Sequence, residues 1–246
     1  MKAVLAILGF VVTSALLVSP VHAQEINVKL QMVDDPYEAP KGQLFDEESY
    51  FKGETWLNQY VNVIVINKAA KGPGAQTLRL YTNRQLQMTT KISSGREDLE
   101  IVNPVAGIFR KIFNTKGTKE SHWRHTTRGY YNMKRVYGAG YRSGESRAQM
   151  PYAMFFNESR GLAVHQVPPD LAGGEAAGNR ALGTRASSGC VRVHGNYILN
   201  IYNAVQSAGK GQVPVLNTRT GQPELDSRGE VKYTNNWRTL VIVEEY

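Results

Sequence analysis

The chain has 246 residues, of which 41% are hydrophobic, and a formal net charge of +8. This length and composition are typical of a globular protein with one large domain. The single cysteine, Cys190, excludes a disulfide within the molecule.

The first 23 residues have the pattern of a secretory signal peptide. Met1 and Lys2 form a positive end, Ala3 to Val18 is an apolar stretch, and Val21-His22-Ala23 is a small-residue cleavage site. The apolar stretch is short for a membrane-spanning helix, which needs about 20 residues. We therefore predict export to the periplasm or cell wall, a mature chain from Gln24, and no integral membrane segment.

Charge is unevenly distributed along the mature chain. Residues 24–60 hold eight acidic residues against three basic ones, and they have little periodicity, which predicts an irregular acidic arm. Residues 110–149 hold ten basic residues against two acidic ones. The main domain is predicted to span residues 61–246, with this basic window as an insertion at about 110–149.

Hydrophobic patterns predict a mainly β domain with one helix. Alternating or apolar runs indicate strands, and apolar residues at helical spacing after Cys190 indicate a helix that stops at Gly209. The predicted strands are 61–66, 77–81, 86–92, 152–156, 161–165, 213–216 and 239–243, and the predicted helix contains Ile198, Ile201, Tyr202 and Val205. The short turns favour a sheet sandwich or barrel over parallel βαβ units.

Cys190 is the candidate nucleophile. A lone cysteine in an exported protein invites oxidation, so reactivity explains its presence better than packing does. It follows Ser187-Ser188-Gly189, a run that turns tightly and presents backbone N–H groups. His165, at the end of a predicted strand, is the candidate base that promotes the thiolate.

Five segments in the same order resemble the L,D-transpeptidases, whose catalytic domain has the YkuD fold. Residues 61–81 resemble the opening hairpin of that domain, and residues 103–109 resemble its Thr-Pro-x-Gly-x-Phe segment. Residues 150–165 resemble the strand pair that delivers the family's histidine. Leu182-Gly183 and the run from Ser187 to Arg192 resemble the Ser-His-Gly-Cys-Ile-Arg signature, with Ser188 in place of the histidine.

The resemblance implies a YkuD-like β-sandwich or barrel and a transpeptidase that acts on peptidoglycan stem peptides. Cys190 would attack a tetrapeptide stem after the L-centre of diaminopimelate, release D-alanine and pass the acyl group to an amine. The acceptor is a second stem, a protein or an amino acid, and no cofactor or metal is implied. The predicted oxyanion donors are the backbones of Ser188, Gly189 and Cys190, and the predicted substrate-binding residues are Tyr152, Ser187 and Arg192.

Several alternatives remain open at this point. Water as acceptor would make the protein an L,D-carboxypeptidase, and the histidine replaced by Ser188 leaves room for a non-catalytic wall-binding module. Arg192 either binds a substrate carboxylate or braces the loop. His194 is a second base candidate, and His122 with His125 has the spacing of a metal site but no accompanying ligand cluster.

The basic window also contains several tyrosines, including Tyr137 and Tyr141. We interpret it as a lid that attracts the carboxylates of stem peptides. A solvated surface loop is the simplest alternative, and another is that the acidic arm folds back onto the window and neutralises it. Nucleic-acid binding is disfavoured because an exported protein rarely meets nucleic acid.

Overall fold

A computed structural model describes residues 37–101, 121–144 and 147–246. The predicted signal peptide and the segment that resembles the Thr-Pro-x-Gly-x-Phe motif lie outside these residues. The strands are β1 (Asn62–Asn67), β2 (Thr77–Thr82), β3 (Gln85–Ser93), β4 (Leu99–Ile101), β5 (Ser121–Trp123), β6 (Gly129–Asn132), β7 (Arg135–Val136), β8 (Met154–Asn157), β9 (Leu162–Gln166), β10 (Val191–Val193), β11 (Lys210–Pro214), β12 (Tyr233–Trp237) and β13 (Thr239–Glu244).

Nine of these strands form one mixed sheet in the order β6-β13-β1-β2-β3-β10-β9-β8-β7. Only Met133 and Lys134 separate β6 from β7, although these strands are the two edges of the sheet. So short a connection spans at most about 10 Å. The sheet must therefore curl until its edges approach each other, and the rings of Tyr131 and Phe156 meet at 5.4 Å across that closure.

The described helices are α1 (Glu47–Lys52), a short 3₁₀ turn (Trp56–Gln59), α2 (Gly174–Arg180) and α3 (Gly195–Ala208). The helix predicted after Cys190 is α3, and it ends at Gly209 as expected. Its apolar face, with Ile198, Ile201 and Val205, packs into the main core inside the curled sheet. The sandwich-or-barrel prediction is thus confirmed in its barrel-like form.

The acidic arm is not irregular throughout. Asp46 caps α1 by accepting a hydrogen bond from Ser49 N, and Gly53 ends the helix in a left-handed conformation. Phe45 and Tyr50 are fully buried in a second apolar cluster against the outer face of the sheet. The sequence interpretation missed this helix because six residues are too few to show a helical period.

The prediction of a basic insertion over 110–149 needs correction where the chain is described. Two of its segments are the edge strands β6 and β7 of the main sheet. Arg124 forms an ion pair with Asp98, and Arg128 is buried. Arg124 and Arg128 are therefore part of the framework rather than of a lid, because carboxylates pair with both.

Among the described helices, none has the length and apolar character needed to cross a membrane.

Candidate active site

Cys190 and His165 share one face of two neighbouring strands. Strands β9 and β10 are parallel, with Val191 opposite Val164 and Arg192 opposite His165. Successive side chains alternate between faces, and Val164 and Val191 point into the main core. Cys190 immediately precedes β10 and packs against the cluster that contains Ala163, so it lies with His165 on the opposite face. In ideal strands, residues in this diagonal relationship have Cα atoms roughly 8 Å apart.

The candidate base, His165, has a neutral imidazole in a fixed orientation. Its side chain is buried, with 3% of its surface exposed, and Nδ1 donates a hydrogen bond to the carbonyl of Gln166 at 2.6 Å. Burial, together with the charge of Arg192, lowers the pKa of His165 to about 4 against the opposing effect of this hydrogen bond. Because the proton is fixed on Nδ1, the lone pair of Nε2 is available to accept a proton.

Cys190 is a thiol at rest. Its Sγ donates to the carbonyl oxygen of Gly161 at 3.4 Å, and its side chain is half-buried. Burial raises the pKa of the Cys190 thiol, although the backbone of Ala163 and the charge of Arg192 oppose the increase. The two side chains are thus a neutral thiol and a neutral imidazole.

Two hydrogen bonds shape the loop of residues 187–190, called the nucleophile loop after its candidate nucleophile Cys190. Ser187 Oγ donates to the carbonyl of Cys190 at 2.5 Å and accepts the N–H of Gly189 at 3.0 Å. Gly189 has a φ of +123°, a conformation that side chains disfavour. These contacts correct two predictions, because Ser187 is a buried brace rather than a substrate contact, and the Gly189 N–H is already occupied.

Arg192 braces the loop, which was one of its two predicted roles. Its Nη1 donates to the carbonyl of Ala186 at 3.2 Å. Burial lowers the pKa of Arg192, and the charge of the exposed Arg96 nearby lowers it further. The backbone N–H of Arg96 donates to the carbonyl of Ser187. Across residues 37–101, 121–144 and 147–246, no carboxylate forms a salt bridge with either arginine.

Other predicted residues lie elsewhere or have local roles. The ring of Tyr152 packs against Tyr202 of α3 at 5.2 Å and not in the cluster that contains Cys190. Ser188 is exposed. His194 caps α3, with Nδ1 accepting the N–H of Asn196, so its role is the local contact and not that of a base.

The later part of the basic window does approach the nucleophile. Tyr137 and Tyr141 stack at 4.1 Å between ring centroids and pack edge-on against Phe155. Both tyrosines belong to the small apolar cluster that contains Cys190. Tyr137 and Tyr141 therefore line the site, whereas Arg124 and Arg128 of the same window form ion pairs in the framework.

A buried ion-pair network lies behind the nucleophile loop. His125 donates from Nε2 to Glu38 and from Nδ1 to Glu97, and Lys68 pairs with Glu97 at 3.0 Å. Burial lowers the pKa of His125, but the two carboxylates outweigh it and the net pKa is raised. The acidic arm thus folds back onto the basic window through Glu38, which also pairs with Arg128. The described residues contain no group of three metal-ligating side chains arranged for a metal ion.

The sequence interpretation missed several residues that build this site. Arg96, Thr126 and the carbonyl of Gly161 all contact the nucleophile loop or the thiol. Thr126 lies 63 residues before its partner Gly189. Side chain–backbone contacts over such distances leave no periodic signal in the sequence.

The family model of the YkuD L,D-transpeptidase catalytic domain matches residues 61–224, which is more than half of the chain. The chain belongs to this family. The matched range contains β9, β10, His165 and Cys190, so the candidate site lies within the family domain.

Solved structures of L,D-transpeptidases are similar at low identity. One from Xylanimonas cellulosilytica DSM 15894 is 16% identical with a TM-score of 0.41, and the match covers 75% of this chain and 60% of that one. One from Mycobacterium tuberculosis H37Rv is 18% identical with a TM-score of 0.43, covering 76% of this chain and 58% of that one. The chain therefore spans about 60% of the length of these relatives. No curated protein matches the sequence.

Proposed function

We propose that this protein is an exported L,D-transpeptidase that acts on peptidoglycan tetrapeptide stems through a thioester at Cys190. The observation that carries the proposal is the shared face of Cys190 and His165, with Nδ1 of His165 held by the Gln166 carbonyl. This arrangement supplies a nucleophile and an oriented base. The signal peptide pattern supports action in the periplasm or cell wall.

The first half-reaction forms the thioester. Sγ of Cys190 attacks the carbonyl carbon that follows the L-centre of diaminopimelate, and its proton passes to Nε2 of His165. The carbonyl oxygen becomes an oxyanion, and backbone N–H groups of the loop stabilise it. Because Ser187 occupies the Gly189 N–H, the amides of Ser188 and Cys190 are the proposed donors. The tetrahedral species collapses, the C–N bond breaks, and D-alanine leaves with the proton from His165.

The second half-reaction regenerates the thiol. An acceptor amine attacks the thioester carbonyl and gives its proton to Nε2 of His165. The C–S bond then breaks, and the thiolate recovers that proton. The product is a new amide, and no cofactor takes part. A water acceptor would release a tripeptide stem instead, which is the L,D-carboxypeptidase alternative.

Charge around the loop supports an acidic substrate. The guanidinium of Arg192 donates to the carbonyl of Ala186 beside Ser187, and the charge of Arg96 lies close enough to lower the pKa of Arg192. Among the described residues neither arginine forms a salt bridge, although the charge of Arg96 also reaches Asp98 and contributes to the lowered pKa of that carboxyl. Stem peptides carry several carboxylates. Two such cations beside the nucleophile favour binding of these groups over binding of neutral peptides.

The test incubates the purified protein with tetrapeptide muropeptides and an excess of an amine acceptor such as a D-amino acid. Mass spectrometry measures D-alanine release and the new amide. We expect both, with Cys190→Ala inactive and Arg219→Ala, which changes an exposed arginine distant in sequence, unchanged. Tripeptide alone would indicate the carboxypeptidase, and muropeptide binding without turnover would indicate the non-catalytic wall-binding module.

A further inference from the structure

The peptide unit between Gly189 and Cys190 is fastened by a residue outside the nucleophile motif. Thr126 is fully buried, and its Oγ1 donates to the carbonyl of Gly189 at 2.6 Å. The same oxygen accepts the N–H of Gly95 at 2.8 Å. Both roles of the hydroxyl are therefore in use, so its rotation is fixed.

The surroundings hold Thr126 itself rigidly. Its N–H donates to Glu97 at 3.2 Å, which ties it to the buried ion-pair network. The loop packs directly on this backbone, because a Cβ at Gly189 would lie 3.0 Å from the carbonyl oxygen of His125. Thr126 is thus a fixed point against which the loop is positioned.

The carbonyl of Gly189 and the N–H of Cys190 belong to one planar trans peptide, so they point in opposite directions. Because the carbonyl of Gly189 is held towards buried Thr126, the N–H of Cys190 must point away from Thr126. The same hydrogen bond polarises the peptide and strengthens the N–H as a donor.

From this geometry we infer that Thr126 is a positioning residue for the oxyanion donor, acting through the Gly189–Cys190 peptide. The inference rests on the proposed function, because an oxyanion forms only if Cys190 attacks an acyl group. It predicts that loss of the hydroxyl impairs acylation while leaving the thiol as reactive as before towards an alkylating agent, since alkylation forms no oxyanion.

The experiment compares Thr126→Val with Thr127→Val, a matched control. Thr127 is the next residue and is also buried, but its Oγ1 accepts hydrogen bonds from Tyr131 and Asn157. Acylation of Cys190 by a carbapenem and alkylation by iodoacetamide are timed by mass spectrometry. Removing an oxyanion donor outright costs about 10²–10³ in rate, so misaiming one should slow acylation by at least about tenfold.

We expect that slowing in Thr126→Val, with alkylation within about twofold of the unsubstituted protein. Thr126→Ser keeps the hydroxyl and should restore most of the acylation rate. Thermal unfolding checks each variant, and Thr126→Ala replaces Thr126→Val if the latter does not fold. If Thr126→Val, or Thr126→Ala in its place, is acylated as fast as Thr127→Val, the inference about Thr126 is wrong, while the proposed function still stands. If the unsubstituted protein is neither acylated nor active on muropeptides, the proposed function fails and the inference falls with it.

Discussion

Arg192 lies directly beside His165 in the parallel pairing of β9 and β10, on the same face as Cys190. The guanidinium disfavours a charged imidazole, and burial acts in the same direction as the larger cause. The imidazole of His165 is therefore neutral over a wide pH range, and the thiol of Cys190 is protonated. Under the proposed function, the thiol must therefore transfer its proton to His165 as it attacks, because no thiolate–imidazolium pair is formed beforehand.

This relationship predicts the acid limb of the pH–rate profile. The rate of Cys190 acylation should fall only as pH decreases through about 4, where His165 becomes protonated. In Arg192→Gln the neighbouring cation is gone, so the pKa of His165 rises and the acid limb moves to higher pH. Arg96→Gln is the control, because Arg96 is not among the groups that shift His165. If Arg192→Gln and Arg96→Gln have the same acid limb, the charge of Arg192 does not lower the pKa of His165.

The second prediction concerns stability and His125. Its pKa is raised in the folded protein, so the stability it contributes is complete below about 6.5, the usual value of a free histidine, and is lost as pH rises through the raised pKa. Urea unfolding should show this loss between mildly acidic and alkaline pH. In His125→Gln the loss should disappear, whereas His194→Gln should retain it. A His125→Gln protein with the same pH dependence would show that Glu38 and Glu97 do not hold a charged imidazole.

Gly189→Ala tests the fit of the nucleophile loop. The substitution combines a φ of +123° with a Cβ only 3.0 Å from the carbonyl oxygen of His125, so the loop must shift. Gly42→Ala is matched in backbone strain, with a φ of +140°, but nothing lies within 4 Å of its Cβ. We expect both variants to lose about 1–3 kcal/mol of unfolding free energy. Only Gly189→Ala should lose carbapenem acylation, and equal acylation in the two variants would rule out tight packing of the loop.

Tyr141 provides a test of the aromatic cover. It stacks on Tyr137 and packs in the cluster that contains Cys190, so Tyr141→Ala should expose the thiol to water. Because burial raises the pKa of Cys190, exposure should lower it and speed alkylation near neutral pH by about two- to tenfold. Tyr197→Ala changes an exposed tyrosine on α3 and serves as the control. An unchanged rate in Tyr141→Ala would mean that the tyrosine pair does not shield the thiol.

The sequence predicted the parts of this fold that carry a local signal. All seven predicted strands overlap observed ones, namely β1, β2, β3, β8, β9, β11 and β13, because alternating burial leaves a period of two in the sequence. The helix α3 was found from the spacing of Ile198, Ile201 and Val205. The strand β10 was missed because three residues are too few to show alternation.

The same distinction between local and long-range signals applies to the residues of the candidate site. Cys190 and His165 were identified from their local motifs, and the structure brings them to one face. Their roles as nucleophile and base remain predictions. The roles of Ser187, Gly189 and Arg128 could not be assigned correctly, because each depends on a partner that only the folded chain brings near. Arg128 illustrates the error, since a basic residue that looked like part of a solvated lid is buried between Glu38 and Glu245.

The most direct test of the central claim is the mass of Cys190 during turnover. The protein is mixed with a tetrapeptide muropeptide, quenched in acid within the first turnovers, digested and analysed by mass spectrometry. The account predicts that the peptide containing Cys190 gains the mass of the stem acyl group without D-alanine, and that an amine acceptor removes it. Turnover that continues undiminished in Cys190→Ala, or product formation with no acyl group ever found on Cys190, would contradict the account.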